Sequence, residues 1–344
     1  MNSFYVGIDV SLEHLDVATA TTPASRKGLG RYPNNAQGWQ AIASALESLL
    51  QAQMCADDAP YTIHLMVEPT GGYETDLLSF AYRQAWWVTL VNPLQVRRWG
   101  EGQGIRAKTD RQDALLLAWY GATTQPSPQD AMDEGAAQLD ELLRRRHDLE
   151  QLRQAEQNRL TLLQRKVRPN PAIQRSLERT LHTLDEELQA LEEAIKQLLK
   201  HYAYRQEQRH LLRSSPAIGD KLSLELLVVC HRFWAYTSGQ GTAKQIVAFL
   251  GLDPQPHESG KSKQRSLISR QGNARLRAQL YCGALGGVRG HNPLQAFYQR
   301  LVCAGKAKKL ALVACARKVL TWVWALFTSN TPFDASRFPM PIPS

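Results

Sequence analysis

The first third of the chain alternates short apolar runs with polar, helix-spaced segments. Residues 4–10, Phe-Tyr-Val-Gly-Ile-Asp-Val, predict a buried strand, and Leu15 to Ala20 predict a second strand after a tight turn. Together they read as a β-hairpin opening a sheet. From Asn34 to Gln51, Trp39, Ile42, Leu46, Leu49 and Leu50 recur at the spacing of one helical face. A polar connection, 52–60, leads to a continuous apolar run, Thr62 to Val67, that ends in Glu68. Pro69-Thr70-Gly71-Gly72 then turns the chain into a predicted helix over 73–84. Trp87 to Val91 predicts another buried strand, closed by Asn92-Pro93, with a helix near 94–99 and a Gly-rich loop over 100–104. Lys108-Thr109-Asp110-Arg111-Gln112-Asp113 opens a further helix. The order hairpin, helix, strand, helix, strand, helix predicts α/β layers around a mixed sheet.

The pattern then changes. Residues 125–134 are Pro- and acid-rich and read as a linker. From 136 to 166, Leu139, Leu142, Leu143, Leu149, Leu152, Leu160, Leu162 and Leu163 recur between charges. Arg168-Pro169-Asn170-Pro171 interrupts, and a second stripe runs over 172–204 through Leu177, Leu181, Leu184, Leu188, Leu191, Ile195 and Leu198. Steps of three and four predict an antiparallel helical hairpin or coiled-coil arm, suited to dimerisation or to a monomeric bundle. Ser214 to Lys221 reads as a bend between helices, of the Pro-x-x-Gly kind that offers backbone N–H groups to a DNA phosphate. A short helix over 242–250 precedes a polar, exposed loop, and a helix begins near Ala274. Residues 306–327 predict one apolar helix with a basic start, before a Pro-rich end.

Charge sharpens this picture. The 344 residues carry a net charge of +9, which favours an acidic polymer as partner, nucleic acid before membrane. Between 257 and 320 there are thirteen Lys or Arg and one acid, Glu258, a phosphate-tracking composition. The five cysteines form no CxxC pair, which predicts neither a disulfide framework nor a zinc ribbon and fits the reducing cytoplasm. The first residues lack the basic and apolar regions of a signal peptide, and Arg317 and Lys318 interrupt the most apolar stretch, so no membrane span is expected.

Candidate chemistry starts at Asp110 and Asp113, three apart on a helix and so on one face. Alone they fit either a helix cap or half of a cation site. Asp9 within an apolar strand is costly to bury unless a cation or a partner meets it; a strand-end aspartate facing solvent is the alternative. With Glu68, two strands deliver carboxylates at their C-terminal ends, where open α/β sheets place ligands. Four converging carboxylates suit a two-metal phosphodiester site holding Mg²⁺ or Mn²⁺. Arg106, Lys108 and Arg111 nearby could neutralise phosphate, as could Lys261, Lys263, Arg265, Arg270, Arg275 and Arg277 of the basic segment. Ser259, flanked by His257 and Glu258, is either a nucleophile or a loop serine.

The ordered set Gly7-Ile8-Asp9, Val67-Glu68-Pro-Thr-Gly, Asn92-Pro93, Lys108-Thr109-Asp110-x-x-Asp113-Ala114, Pro216-x-Ile218-Gly219, Glu258-Ser259-Gly260, Ser269-Arg270 and Pro332-Phe333-Asp334 resembles the DEDD-type insertion-sequence transposases. This is the insertion sequence one-ten family, related to the Piv-type DNA invertases. The resemblance implies a RuvC-like (RNase H-like) α/β domain over 1–124 and a linker with coiled-coil arm over 125–205. It also implies a mainly α transposase domain over 206–330 and a tail over 331–344. It implies Mg²⁺ bound by Asp9, Glu68, Asp110 and Asp113, and a covalent phosphoserine at Ser259. The implied partners are target and donor DNA, a noncoding guide RNA (the bridge RNA) and further copies of the chain as dimer or tetramer, in the cytoplasm at the nucleoid. The sequence departs from the family at Glu68-Pro-Thr-Gly-Gly, where Glu-Ala-Thr-Gly is usual, and in a Lys-richer serine loop. The competing readings are a Holliday-junction-type nuclease that uses water, and a non-catalytic nucleic-acid-binding protein.

Overall fold

The computed structural model describes residues 2–57, 60–105, 110–255, 258–259, 262–263 and 267–337. It divides into two compact units, one running to Ala131 with Tyr236–Ser238, the other formed by Met132–Ala235 and the chain from Gly239.

The first unit is built on a five-stranded mixed sheet of order β3-β2-β1-β4-β5. Its strands are β1 (Asn2–Val10), β2 (His14–Ala20), β3 (Arg26–Pro33), β4 (Tyr61–Val67) and β5 (Trp87–Leu90). β1, β2 and β3 pair antiparallel, while β4 and β5 run parallel to β1. Four helices complete the unit: α1 (Ala36–Asp57), α2 (Thr75–Arg83), α3 (Pro93–Gly102) and α4 (Asp110–Thr124). Strand alternation sorts the side chains into two layers. Val6, Ile8, Leu15, Val17, Ile63, Leu65 and Val67 pack with Ile42 and Leu46 of α1 and Leu77 and Ala81 of α2. Tyr5, Ala18, Ala20 and Met66 face the other way, against Val96 of α3 and Ala114, Leu117 and Ala118 of α4.

α4 lies on β1 because Gly7 has no side chain. A Cβ there would stand 2.1 Å from the Ala114 carbonyl oxygen and 2.4 Å from the Ala118 nitrogen. One turn further on, Gly121 meets Tyr5 and Met66, where a Cβ would be 2.7 and 2.8 Å from their side-chain carbons. As α4 advances from Ala114 to Gly121, its contacts on β1 recede from Gly7 to Tyr5. The helix therefore runs antiparallel to the strand, with its N-terminus over the strand's C-terminal end.

In the second unit, α5 (Glu134–Gln164) and α6 (Pro171–His201) are long and consecutive. Asp133 caps α5 by accepting from Ala136 N at 3.0 Å, and Asn170 caps α6 with Pro171 in its first turn. The Arg153–Asp185 ion pair and the grouping of Glu141 and Leu142 with Leu198 show that the two run antiparallel. Leu152, Leu162 and Ile173 remain at least half exposed toward the turn. The chain continues through α7 (Ala203–Arg213), α8 (Asp220–Tyr236) and α9 (Ala243–Phe249), then four two-residue strands, β6 (Pro254–Gln255), β7 (Glu258–Ser259), β8 (Ser262–Lys263) and β9 (Leu267–Ile268). It ends in α10 (Ala274–Gly287), α11 (Pro293–Cys303) and α12 (Lys308–Ser329). α12 is long and apolar enough to cross a membrane, but Leu312, Cys315, Val319, Leu320, Val323 and Trp324 pack into a core shared with α8, α9 and α10.

Three features depart from the sequence pattern. β3 was not anticipated, because Arg26-Lys-Gly-Leu-Gly-Arg-Tyr-Pro carries no apolar alternation and only Leu29 and Tyr32 pack against the core. α1 extends to Asp57, beyond the expected end at 51. The expected exposed loop after α9 contains two short antiparallel ladders, β6–β9 and β7–β8.

The Gly7 contact gives a direct test. Gly7→Ala should destabilise the protein by about 1–3 kcal/mol, the cost of forcing a methyl into a closed contact. Urea denaturation would measure it, and an unchanged midpoint would show that α4 does not sit on β1 as described.

Candidate active site

The backbone positions of Asp9, Glu68, Asp110 and Asp113 lie toward the same end of the first unit's sheet. Asp9 is two residues beyond Gly7 on β1 and so shares the face that carries α4. Ile8 pairs with Val67 in parallel register, so Glu68 follows Val67 as Asp9 follows Ile8. Met66, two residues before Glu68, lies in the same layer as α4, which places Glu68 on that face too. Asp110 opens α4, and Asp113 lies immediately before Ala114, the residue seated on Gly7. At about 1.5 Å per helix residue and 3.3 Å per strand residue, Asp110 starts about 6 Å along α4 from Ala114 and Asp9 lies about 7 Å along β1 from Gly7, with Glu68 at the level of Asp9 on the neighbouring strand. The partial positive charge of the α4 N-terminus favours carboxylates at this end of the sheet. Asp9, Glu68 and Asp113 are partly exposed.

Two side chains hold the loops that follow Asp9 and Glu68. The Glu74 carboxylate accepts from Thr70 Oγ1 at 2.6 Å, Gly72 N at 3.0 Å and Thr70 N at 3.2 Å, fixing the turn directly after Glu68. Burial alone would raise the Glu74 pKa, but these hydrogen bonds prevail and hold it below the ordinary carboxylate value. Gly71 and Gly72 both adopt positive φ, 89° and 135°, which that turn requires. Asn34 Nδ2 donates to the carbonyls of Ser11 at 2.9 Å and Tyr73 at 3.1 Å, tying the β1–β2 turn to the Glu68 loop. Neither Glu74 nor Asn34 stood out in the sequence, since each sits at a turn where such residues are common.

Asp16, the cross-strand partner of Asp9, is 4% exposed and is gripped by Arg31 Nη2 at 2.7 Å and Nε at 3.1 Å. His64 lies deeper on the same face, 1% exposed, with Tyr5 and Trp87 around it. Thr89 Oγ1 donates to the Ser127 carbonyl at 3.1 Å, so His64 Nε2 must be the donor in its 2.8 Å bond to Thr89. Burial lowers the His64 pKa to about 4, and the ring is neutral at pH 7.

Among the described residues, no group of three or more His, Cys, Asp or Glu is close enough to hold a metal ion. The Asp110 side chain is outside that set. The donors at this end are all carboxylates, the chemistry of hard divalent cations such as Mg²⁺.

The second unit carries Ser259, which pairs with Ser262 in the β7–β8 ladder, as Glu258 pairs with Lys263. Arg106, Lys108, His257, Lys261 and Arg265 lie outside the described residues, as do the side chains of Ser259 and Lys263. Arg270 is exposed. The expectation that Arg275 and Arg277 face phosphate meets a different arrangement. Arg275 grips buried Glu225 through both Nη atoms, at 2.9 and 2.8 Å, and Arg146 of α5 reaches the same carboxylate at 3.7 Å. Burial raises the Glu225 pKa, and the two guanidiniums oppose that shift. Arg277 donates to backbone carbonyls.

Comparison with known proteins identifies the family. A DEDD-type transposase model matches residues 6–169, which contain all four acids. A second model, described as a transposase of the IS116/IS110/IS902 family, matches residues 209–299, which contain Ser259. The pilin gene-inverting protein of Moraxella lacunata is 30% identical over 97% of this chain and 98% of its own length. The chain belongs to the IS110 family of transposases. The pilin gene-inverting protein of Moraxella bovis is 29% identical over the same shares. The transposase for insertion sequence element IS1111A of Coxiella burnetii is 29% identical over 46% of this chain and 44% of its own. As an IS110-family member the chain is a DNA recombinase or transposase, and its first domain has the RNase H-like fold of that family. Membership also points to a divalent metal in the chemistry.

The buried histidine sets an acid limit. Its folded pKa near 4 lies below the unfolded value of 6.5, so the unfolded chain binds protons first as pH falls. His64 then contributes stability that is complete above about pH 6.5 and is lost toward pH 4, about 2 kcal/mol between pH 7 and 5. His231 in the second unit, lowered to about 3 by burial and by Arg205, acts in the same direction. Denaturant titrations at pH 7, 6 and 5 should show this decline, smaller in His64→Asn. Equal pH dependence in that variant would remove His64 from the account.

Proposed function

We propose that this transposase cuts and exchanges DNA strands through a covalent bond between Ser259 and a backbone phosphate, with Asp9, Glu68, Asp110 and Asp113 holding Mg²⁺ or Mn²⁺. The reading is supported by the seating of α4 on Gly7, with the start of the helix over the end of β1 that carries Asp9. Divalent cations held there supply Lewis-acid stabilisation of charge on the phosphate oxygens. The carboxylates set where those charges sit, and the α4 N-terminus adds a fixed positive end. The Ser259 Oγ forms its bond to phosphorus as one P–O bond of the DNA backbone breaks; the departing deoxyribose oxygen takes up a proton. A phosphodiester replaces a phosphodiester, so rejoining needs no ATP. Lys261, Lys263, Arg265 and Arg270 would steady the backbone around the serine.

The acids and Ser259 belong to different units of the chain. The family resemblance supports a dimer or tetramer in which one protomer's serine meets another's acids, and the exposed Leu152 and Leu162 of α5 and Ile173 of α6 offer a surface for assembly. It likewise supports guidance by a structured noncoding RNA that pairs with target and donor DNA, and action in the cytoplasm, where that DNA resides.

Ser259→Ala should abolish trapped protein–DNA adducts and recombination, and Asp110→Ala should abolish both strand cleavage and its metal dependence. Full cleavage by Ser259→Ala with no adduct in wild type would instead mark a nuclease that uses water. A discrete structured RNA should co-purify with the protein; sequencing that finds none would remove the guide from the proposal.

A further inference from the structure

The segment that carries Ser259 leaves the helical core through a narrow neck. Gly251, just after α9, has φ of 68°, and a Cβ there would stand 1.9 Å from the Gln271 carbonyl oxygen. Gly272, just before α10, has φ of 82°, and its Cβ would stand 2.3 Å from the Phe249 carbonyl oxygen. The two chain ends thus cross in backbone contact that only glycine allows. Beyond the crossing they are stitched in order. Arg270 N donates to Gly251 O at 3.1 Å and Ser269 N to Asp253 O at 2.9 Å; the Ser269 hydroxyl donates to the Asp253 carboxylate; and β6 pairs with β9.

One cation closes the neck. Arg277 Nη1 donates to the carbonyls of Leu250 at 3.1 Å, Gln271 at 3.0 Å and Gly272 at 3.0 Å. These oxygens come from both ends of the segment. Three carbonyl dipoles aimed at one point repel unless a positive donor lies among them. Arg277 is itself anchored, because α10 is capped by Asn273, which accepts from Leu276 N at 3.1 Å.

We propose that Arg277 is a positioning residue for strand cleavage: it clamps the neck of the serine-bearing segment and so sets where Ser259 reaches the DNA. The inference rests on the reading of Ser259 as nucleophile. Eight residues separate Gly251 from Ser259, a reach of at most about 26 Å. A rotation of about 10° at the neck would move the far end by up to about 4 Å, and a misplacement of about 1 Å can cost on the order of 100-fold in rate. This differs from a phosphate contact, which would act on DNA affinity.

The test uses the full-length protein with its DNA, and compares wild type, Arg277→Ala, Arg277→Lys and Ser259→Ala. Three quantities are read: DNA affinity across a salt series, the rate of covalent adduct formation at saturating DNA, and thermal stability. Arg277→Ala should slow adduct formation by roughly 30- to 100-fold while DNA affinity and salt slope stay within about twofold of wild type. Arg277→Lys, which restores a positive donor, should recover part of the loss, as should guanidinium added to Arg277→Ala. Should Arg277→Ala fail to fold, Ser269→Ala loosens the same neck, and a severalfold slower adduct rate is expected from it.

Two results overturn the clamp. One is a wild-type adduct rate in both Arg277→Ala and Ser269→Ala. The other is weaker DNA binding in Arg277→Ala, with a salt slope reduced by about one and an unchanged rate at saturation, which would make Arg277 a phosphate ligand. Adduct formation by Ser259→Ala overturns the nucleophile reading instead, whatever the arginine variants do.

Discussion

A missing side chain governs the first unit. Gly7 lets the backbone of α4 touch the backbone of β1, closer than any other residue would permit. Helix direction, helix height and the position of its first turn all follow from that contact. Asp113 precedes the contact residue Ala114 and Asp9 lies two positions along the strand, so their separation is set by covalent geometry on either side of one close approach. The site is thus positioned by secondary structure, and its loops, held by Glu74 and Asn34, add only the last adjustment.

The second unit solves the opposite problem. Its serine is carried on short two-residue strands, which have little stability of their own. Rigidity must be imported from the helices at the base. Glycine crossing, backbone stitching and the Arg277 contacts all concentrate at that base. Nearby, buried Glu225 joins Arg146 of α5 to Arg275 of α10, so the long helical pair and the helix behind the serine segment share one charged junction. Removing Glu225 would take the shared carboxylate from both guanidiniums, which is far more costly than losing a surface pair.

Much of this was legible in the residues. Apolar runs ending in Asp9 and Glu68 announced strands β1 and β4, and the stretch from Asp110 announced α4. The long heptad stripes became α5 and α6. Hidden features share a cause: their signal lies in tertiary partners. β3 has almost no apolar alternation because it is an edge strand, satisfied by pairing with β2. Arg275 and Arg277 read as part of a basic run because sequence shows charge but not the acid or carbonyls facing it. Glu74 looked like any first-turn acid until the turn folded back onto it.

The pairing of β1 with β2 has one more consequence. Register puts Asp16 directly across from Asp9, so the sheet itself sets a second carboxylate beside it. Arg31, one strand further out, binds that extra group with both Nε and Nη2. The unremarkable, exposed β3 is therefore an electrostatic filter. By supplying a single guanidinium at the right register it neutralises the charge of Asp16 beside Asp9, and strand pairing alone brings that guanidinium there.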